Sequence, residues 1–426
     1  MIKKPRILDY IYLSAYWFAL SYLWNSMGPI ILPNLISAPM VDEGIKGSAL
    51  GLLSATGLVI AIIVQPIAGY ISDRSTSRFG RRRPYLLVGT LFDLIFLLGI
   101  ALSKQYWFLF LSYMLLQVSS NVAHGPYQGL IPDLVPEERR GTASGVKQFA
   151  EIVGIIVTSL TTAALMAQGQ TLLAIVVIMT VLTVTMLITI IGVREEPLRD
   201  APNQSLRETV LDTFKVDPRR YPDYFWLLLS RLFILMGMNL VRNYVLYLVA
   251  DVVIGPSVPY AERMAQANNL SGSLLAIIAV AIAFTALPTG MLSDRLGKKL
   301  LVLLSSILGA IGAFLMVFAN GRTLLTLGGF PLMDILIFGS LIGLSAGIFL
   351  SANWVLATDL IPKEEGGRYL GISNLATAGA GVLAGIGGPI RDFMGYTALF
   401  LSACLCYMLG TILLAKVREP RNTPNL

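Results

Sequence analysis

The chain has 426 residues, of which 55% are hydrophobic and only 13% are charged, against about 25% charged in a typical soluble domain. So few charged side chains could not cover the apolar surface of a soluble protein of this size. The composition therefore predicts a polytopic membrane protein. The chain has a formal net charge of +7 and contains one His and two Cys. One His, with Cys404 and Cys406 in the last apolar run, cannot form a disulfide framework, a metal site or a nucleophile constellation. We therefore expect that the protein is not an enzyme and that it binds neither a metal nor a cofactor.

Twelve apolar runs follow one another along the chain, and each is long enough to cross a hydrocarbon core of about 30 Å. The first run comes directly after Lys3, Lys4 and Arg6 and lacks a cleavage site, so we interpret it as a membrane span rather than a signal peptide. The runs lie at 8–36, 48–71, 85–103, 107–131, 142–167, 171–193, 223–250, 268–292, 300–319, 332–358, 368–388 and 395–415.

The basic residues are distributed unequally between the loops that join these runs. With the N-terminus inside, 24 Lys and Arg lie on the cytoplasmic side and five lie outside. This asymmetry predicts a multi-pass protein with both termini in the cytoplasm, and we expect the plasma (inner) membrane as its location. The net charge therefore reflects membrane topology, and we expect a lipid bilayer but no nucleic acid as a partner.

Two sequence patterns occur twice, once in each half of the chain. The run Gly69-Tyr-Ile-Ser-Asp-Arg74 after the second span recurs 221 residues later as Gly290-Met-Leu-Ser-Asp-Arg295. A pattern beginning Asp133-Leu-Val-Pro after the fourth span recurs 226 residues later as Asp359-Leu-Ile-Pro after the tenth. We therefore predict an all-α membrane protein of twelve transmembrane helices in two parallel six-helix halves.

The longest polar segment lies between these two halves. It is rich in charge and in Pro, and a loop of that length tolerates relative motion of the halves. The predicted organisation is an N-terminal bundle at 1–193, a cytoplasmic linker at 194–222 and a C-terminal bundle at 223–426.

At these motifs the chain resembles the major facilitator superfamily of transporters, over essentially its whole length. The first motif continues into a long basic loop that ends at Arg81, Arg82 and Arg83. This loop, together with the Gly125-Pro126 element, is similar to the sucrose/proton symporters and to the glycoside–pentoside–hexuronide:cation symporters. The resemblance implies the major facilitator fold and alternating access.

The same resemblance implies that the charged residues of the repeated motif form a cytoplasmic latch. A carboxylate beside a cluster of Arg can accept bidentate hydrogen bonds, although the Arg side chains could also serve topology alone. The candidate gating residues are Asp73, Arg74, Arg81, Asp294 and Arg295.

Polar residues at membrane depth are costly unless they are paired or hydrated, so they mark candidate functional sites. They concentrate on helices one, four, five, seven, ten and eleven, which line the central cavity in the superfamily that the chain resembles. His124 could equally be structural, and Arg242 could equally extend to the membrane interface. The candidate substrate-binding residues are Asn25, Asn121, His124, Gln128, Arg242, Asn243 and Asn353.

Glu151 is the first candidate for ion coupling and Asp93 is the second. Lys147 lies four residues before Glu151 on one helical face, so the two could instead neutralise each other as a structural pair. Asp93 could likewise be a structural partner of an Arg. Each assignment keeps both interpretations open.

The chain departs from both symporter groups at their coupling positions. Gln117 lies eight residues before the Gly-Pro, where the sucrose symporters have an acid, and Gln128 stands where they have an Arg. The second span, 48–71, contains no Asp or Glu, whereas the melibiose-type symporters place acidic cation ligands there. Coupling must therefore use other residues or be absent.

Together these features predict a secondary transporter of a small polar solute, with a sugar or glycoside moved with a proton as the leading hypothesis. The chain contains no Gly-x-x-x-x-Gly-Lys-Ser/Thr pattern, so we expect no ATP site. An exporter of amphipathic compounds, an uncoupled uniporter and a non-transporting membrane module that delivers or senses a ligand remain alternatives.

Overall fold

The computed structural model describes residues 6–37, 39–195, 219–327, 330–360 and 366–418. Each of the twelve predicted apolar runs coincides with a helix, which confirms the predicted fold class. Within the described ranges, nine helices are long and apolar enough to cross a membrane. The predicted linker 194–222 lies mostly outside these ranges, as do the side chains of Asp294 and Arg295.

The described residues form two compact units, and the first contains residues 6–37, 39–43 and 56–195. A single turn, Leu130–Leu134, and a 3-10 turn, Glu137–Arg139, separate its fourth and fifth long helices. The long helices of this part of the chain are α1 (Ile7–Ser26), α2 (Lys46–Asp73), α3 (Arg83–Ala101), α4 (Tyr106–Gln128), α5 (Arg140–Ala167) and α6 (Thr171–Gly192).

The second unit contains the start of α2, Gly44–Ala55, and the described residues from 219 onward. Two strands, β1 (Thr323–Leu327) and β2 (Phe330–Met333), form an antiparallel pair that the all-helical prediction did not include. Thr, Leu and Phe suit a short hairpin at this place, between two helices. The helices are α7 (Pro222–Leu248), α8 (Tyr260–Leu296), α9 (Lys298–Leu315), α10 (Asp334–Leu360), α11 (Gly366–Ala384) and α12 (Gly387–Ala415).

Two helices depart from regular geometry for identifiable reasons. After α1 the chain continues through a π-helical turn, Met27–Ile31, into Leu32–Ile36. Pro29 and Pro33 lack the backbone N–H that a regular ladder needs, which explains the local widening. In α12 the φ angle of Gly395 is +83°, so the helix is interrupted where the twelfth predicted span begins.

In the first unit α1 packs against α5 and α3 through hydroxyl pairs rather than through apolar contacts alone. Tyr22 Oη lies 2.7 Å from Thr161 Oγ1, and Tyr16 Oη lies 2.7 Å from Thr90 Oγ1 of α3. A Cβ atom at Gly154 would lie 2.8 Å from the Phe18 carbonyl oxygen, so α1 and α5 approach closely. Such small-residue contacts are typical of helices that associate within a membrane.

Large apolar side chains cover the outer surface of the helices. Surface of this kind indicates contact with lipid, because a soluble protein rarely exposes apolar patches of this extent. Examples that are more than half exposed are Ile63, Trp107, Phe149, Ile191, Phe284 and Phe393.

Candidate functional site

Lys147 of α5 is the centre of a polar cluster in the first unit. Its Nζ atom lies 3.3 Å from Glu151 Oε1, one turn further along the same helix. It also lies 3.9 Å from the centroid of the Trp17 ring on α1, where the ring face attracts a cation. The side chains of Lys147 and Glu151 are 27% and 23% exposed, so the pair is partly accessible from outside the protein.

His124 of α4 contacts the same Trp17 ring, and Gln128 contacts His124. The His124 and Trp17 rings meet edge to face with centroids 5.0 Å apart. His124 Nε2 lies 3.0 Å from Gln128 Nε2, so their hydrogen bond depends on the tautomer of the imidazole. Three predicted residues are therefore linked to Trp17: His124 directly, Gln128 through His124, and Glu151 through Lys147.

Asn25 joins this cluster through α1. Its Nδ2 donates to the Ser21 carbonyl at 2.7 Å, and Ser21 Oγ donates to the Glu151 backbone carbonyl at 2.7 Å. These bonds link Asn25 to the α5 turn that carries Glu151. The buried Trp17 indole Nε1 has no hydrogen-bond partner among the described residues. We call Trp17, Asn25, His124, Gln128, Lys147 and Glu151 the first-unit cluster.

Asn121 and Asp93 lie elsewhere in the first unit. Asn121 donates to the carbonyl of Gln117 at 2.8 Å and is only 4% exposed. Asp93 is fully buried and accepts a hydrogen bond from Ser119 Oγ of α4, while its Oδ2 has no partner among the described residues. The substrate role of Asn121 and the coupling role of Asp93 stay predictions.

In the second unit, the structure brings Asn353 to Arg231 of α7. Arg231 Nη1 donates to Asn353 Oδ1 at 2.5 Å. Arg242 and Asn243 lie three turns further along α7 and are partly exposed, about 16 Å from Arg231 along the helix axis. The three predicted residues of this unit therefore do not form one cluster.

Two of the predicted gating residues belong to one ionic network at the predicted cytoplasmic ends of α2 and α4. Its centre is Arg82, which is 7% exposed and lies 2.6 Å from Asp73 and 3.0 Å from Asp133. Arg81 contacts the other oxygen of Asp133 at 2.5 Å. Arg74 instead lies over the Tyr70 ring, with its guanidinium carbon 3.5 Å from the ring centroid.

Glu195, which follows α6, completes this network. Its carboxylate accepts the backbone N–H groups of Arg82 and Arg83 at 3.0–3.2 Å. Burial raises the pKa of Glu195 above its usual value, and the backbone N–H donors only partly oppose that shift. Gly80 has a φ angle of +98°, and a Cβ there would lie 2.6 Å from Glu195, so only glycine fits.

A second ionic cluster lies at the predicted outer ends of the helices in the second unit. Asp251 is paired with Lys46 at 3.0 Å and with Arg391 at 2.5 Å, and it accepts a bond from Tyr396 at 2.6 Å. Asp392, paired with Arg391, accepts the N–H groups of residues 47 and 48 and so caps α2. We call Lys46, Asp251, Arg391, Asp392 and Tyr396 the outer cluster.

The sequence prediction missed several residues that these clusters depend on. The sequence analysis did not single out Trp17, and Glu195 lies beyond the sixth span without a motif. A charged residue near the end of an apolar run, such as Lys46 or Asp251, was a usable signal. What each one contacts depends on helix packing, which periodicity does not report.

Comparison with known proteins identifies the family of this chain. A family model described as MFS/sugar transport protein matches residues 34–414. The chain is 28% identical over 137 residues to Sucrose transport protein SUC3 of Arabidopsis thaliana, covering 26% of this chain and 23% of that protein. It is 28% identical over 130 residues to the lactose permease of Lactobacillus helveticus, covering 27% of this chain and 20% of that permease. The chain thus spans about a quarter of the length of these relatives.

Solved structures match over nearly the full length at low identity. The nucleoside transporter NupG superposes with a TM-score of 0.74 at 13% identity, covering 97% of this chain and 100% of that one. A POT family transporter in complex with 5-aminolevulinic acid gives 0.74 at 12% identity, covering 97% and 96%. These likenesses show the fold, and the family match extends over most of the sequence. The chain therefore belongs to the MFS/sugar transport protein family.

Proposed function

We propose that this protein is a secondary transporter that moves a sugar or glycoside together with a proton by alternating access. Its family, and relatives named as sucrose transport proteins and a lactose permease, support a sugar as the solute. The assignments of proton coupling and of the substrate-binding residues rest on the first-unit cluster.

The observation that carries the proposal is the contact of Lys147 with both Glu151 and the Trp17 ring. A proton on Glu151 removes the negative charge that holds Lys147, so the Lys147 ammonium is released toward other acceptors. Trp17 offers an apolar face for sugar C–H groups and an unpartnered indole N–H for a hydroxyl. Protonation of Glu151 and binding of a sugar to Trp17 would therefore both change the contacts of one side chain, Lys147.

In this proposal the remaining residues of the cluster orient the sugar. Gln128 and Asn25 carry amide groups that can donate to and accept from hydroxyl groups, and His124 can do either according to its tautomer. Because these groups come from α1 and α4, a bound sugar would connect the helix that carries Trp17 to the helix that carries His124.

Purified protein in liposomes that contain a pH-sensitive dye tests the proposal. A panel of sugars is added without an imposed gradient, and a transported sugar is expected to acidify the lumen. Sugar entry without acidification would contradict proton coupling and identify a uniporter. A silent panel with folded protein would contradict the sugar assignment.

The variant Glu151→Gln is predicted to lose uphill accumulation but to keep counterflow exchange. The amide cannot carry the proton, yet it keeps the size of the side chain and its hydrogen-bonding capacity. Radiolabelled sugar uptake under a proton gradient and in counterflow measures both. Asp93→Asn is the matched test of the second coupling candidate, and loss of accumulation in that variant alone would move the proton role to Asp93. Accumulation by Glu151→Gln would exclude Glu151 as the proton carrier.

A further inference from the structure

A groove of about 550 Å³ lies within the first unit, between the start of α1 and the end of α6. Its volume is in the range of about 300–1,000 Å³ that is usual for ligand sites. The α6 wall of the groove is a stripe of four apolar side chains that are 37–75% exposed, namely Val184, Leu187, Ile188 and Ile191. Spacings of three and four residues place them on one face of the helix.

This stripe has the length and exposure of a surface that contacts lipid. Seven residues separate its ends, so it extends about 10 Å along α6. One leaflet contributes about half of a hydrocarbon core of about 30 Å. The stripe therefore covers about two thirds of the depth of one leaflet.

Tyr12 of α1 forms the opposite wall of the groove. Thr189 Oγ1 of α6 donates to the Tyr12 carbonyl at 3.0 Å, which fixes the two helices relative to each other. A Cβ atom at Gly192 would lie 2.2 Å from Tyr12 Cγ, so the ring lies directly against the α6 backbone. The groove is therefore a built feature of the α1–α6 contact.

Arg194 is the one charged residue that lines the groove, and it lies at the predicted cytoplasmic end of α6. Its side chain is exposed and forms no ion pair with a described residue. Val193 before it is buried, and the Glu195 carboxylate after it accepts backbone N–H groups of the basic loop. The backbone on both sides of Arg194 is therefore held, and the adjacent acid is engaged elsewhere.

An apolar stripe that ends at an unpaired guanidinium matches the two parts of a phospholipid. A guanidinium binds phosphate oxygens through parallel N–H donors, and anionic lipids of the cytoplasmic leaflet attract cations at the membrane surface. A second copy of this chain fits less well. A two-fold contact brings the same patch of both copies together, so the two Arg194 side chains would approach each other.

We propose that the groove between α1 and α6 binds an anionic phospholipid of the predicted cytoplasmic leaflet. An acyl chain lies along the α6 stripe, and the phosphate accepts hydrogen bonds from Arg194. The site lies on the outer surface of the first unit, so it does not depend on which solute the protein moves.

Native mass spectrometry of the purified full-length protein in detergent tests the inference. Phosphatidylglycerol and phosphatidylethanolamine with identical acyl chains are added in equal amounts, because they differ in net charge but share the phosphate. The first bound lipid is expected to be phosphatidylglycerol by about fivefold, which corresponds to one basic residue at the membrane surface. Equal binding of the two lipids would overturn the inference.

Arg194→Gln is expected to abolish this preference for phosphatidylglycerol. The residue is exposed, so the substitution should leave the fold intact. Arg418→Gln is the matched control, because Arg418 is also an exposed Arg at the predicted cytoplasmic end of a long helix and its loss changes the net charge equally. A preference that persists in Arg194→Gln would place the lipid elsewhere and overturn the inference.

Ile188→Trp tests the apolar part of the site without a change in charge. The larger side chain fills the stripe, so binding of phosphatidylglycerol should fall about tenfold. Leu401→Trp on α12 is the control, since Leu401 is 39% exposed and Ile188 is 37% exposed. Unchanged lipid binding by Ile188→Trp would show that no acyl chain lies in the groove.

Two further outcomes would assign the groove to another occupant and overturn the inference. Glycerol 1-phosphate carries a phosphate without acyl chains, and its saturation of the site at the concentration used for the lipid would identify a simple anion site. A dimer of the unmodified protein that Ile188→Trp dissociates would identify a second copy of the chain as the occupant.

Discussion

At the scale of single residues, spacing along a helix predicted some contacts but not others. Lys147 and Glu151 are four residues apart, and a regular helix places such residues on one face, as the structure confirms. Trp17 is 130 residues from Lys147, and no pattern in the sequence links them. The ring reaches Lys147 only because α1 packs closely against α5 at Gly154.

The Lys147–Glu151 pair is expected to show a measurable coupling energy. Lys147→Met leaves Glu151 without its cation, and Glu151→Gln leaves Lys147 without its anion, so each single variant should lower stability. The double variant should recover about 1 kcal/mol relative to the sum, a modest value because both side chains are partly exposed. Denaturant unfolding in detergent measures the cycle, and additive effects would show that the pair is not coupled.

At the scale of elements, the start of α2 is the least expected feature. The segment Gly44–Ala55 belongs to the second unit although the rest of α2 belongs to the first. A Cβ at Gly51 would lie 2.2 Å from the Gly385 carbonyl oxygen, and a Cβ at Gly388 would lie 2.2 Å from that of Gly47. Backbones this close tolerate only glycine, and the outer cluster adds ion pairs around the contact.

Loss of the outer cluster is predicted to release the first turns of α2. Arg391→Met removes the cation shared by Asp251 and Asp392, so Asp392 no longer caps α2 in a fixed position. With Cys404 and Cys406 replaced by Ser and with Ser48→Cys introduced, a membrane-impermeant maleimide should label position 48 about tenfold faster, as local opening becomes easier. Arg322→Met is the exposed control, and equal labelling rates in both variants would show that the cluster does not hold the segment.

At the scale of the whole molecule, hydropathy and the charge of the loops act independently of side-chain packing. Every predicted apolar run became a helix because backbone polar groups in lipid must be satisfied within the segment. The asymmetry of Lys and Arg likewise depends only on which loops face the cytoplasm. Membrane insertion is therefore determined by local properties of the sequence.

The predicted topology can be checked by labelling in intact cells. In the same cysteine-free background, Thr76→Cys lies in the basic loop between α2 and α3, and Ser257→Cys lies between α7 and α8; both positions are exposed. An impermeant maleimide should label position 257 directly and position 76 only after the membrane is permeabilised. The reverse pattern would invert the assignment of the termini.

The sequence by itself determined the class of this protein, its helices, its repeated motifs and the placement of Lys147 and Glu151 on one helical face, because each depends on local composition or on spacing within one helix. Only the tertiary structure decided that Trp17 covers Lys147, that Arg82 joins Asp73 to Asp133, and that Arg231 meets Asn353. Those contacts join helices far apart in the chain. They depend on the rotation of each helix about its axis, which packing against neighbours sets and hydropathy does not.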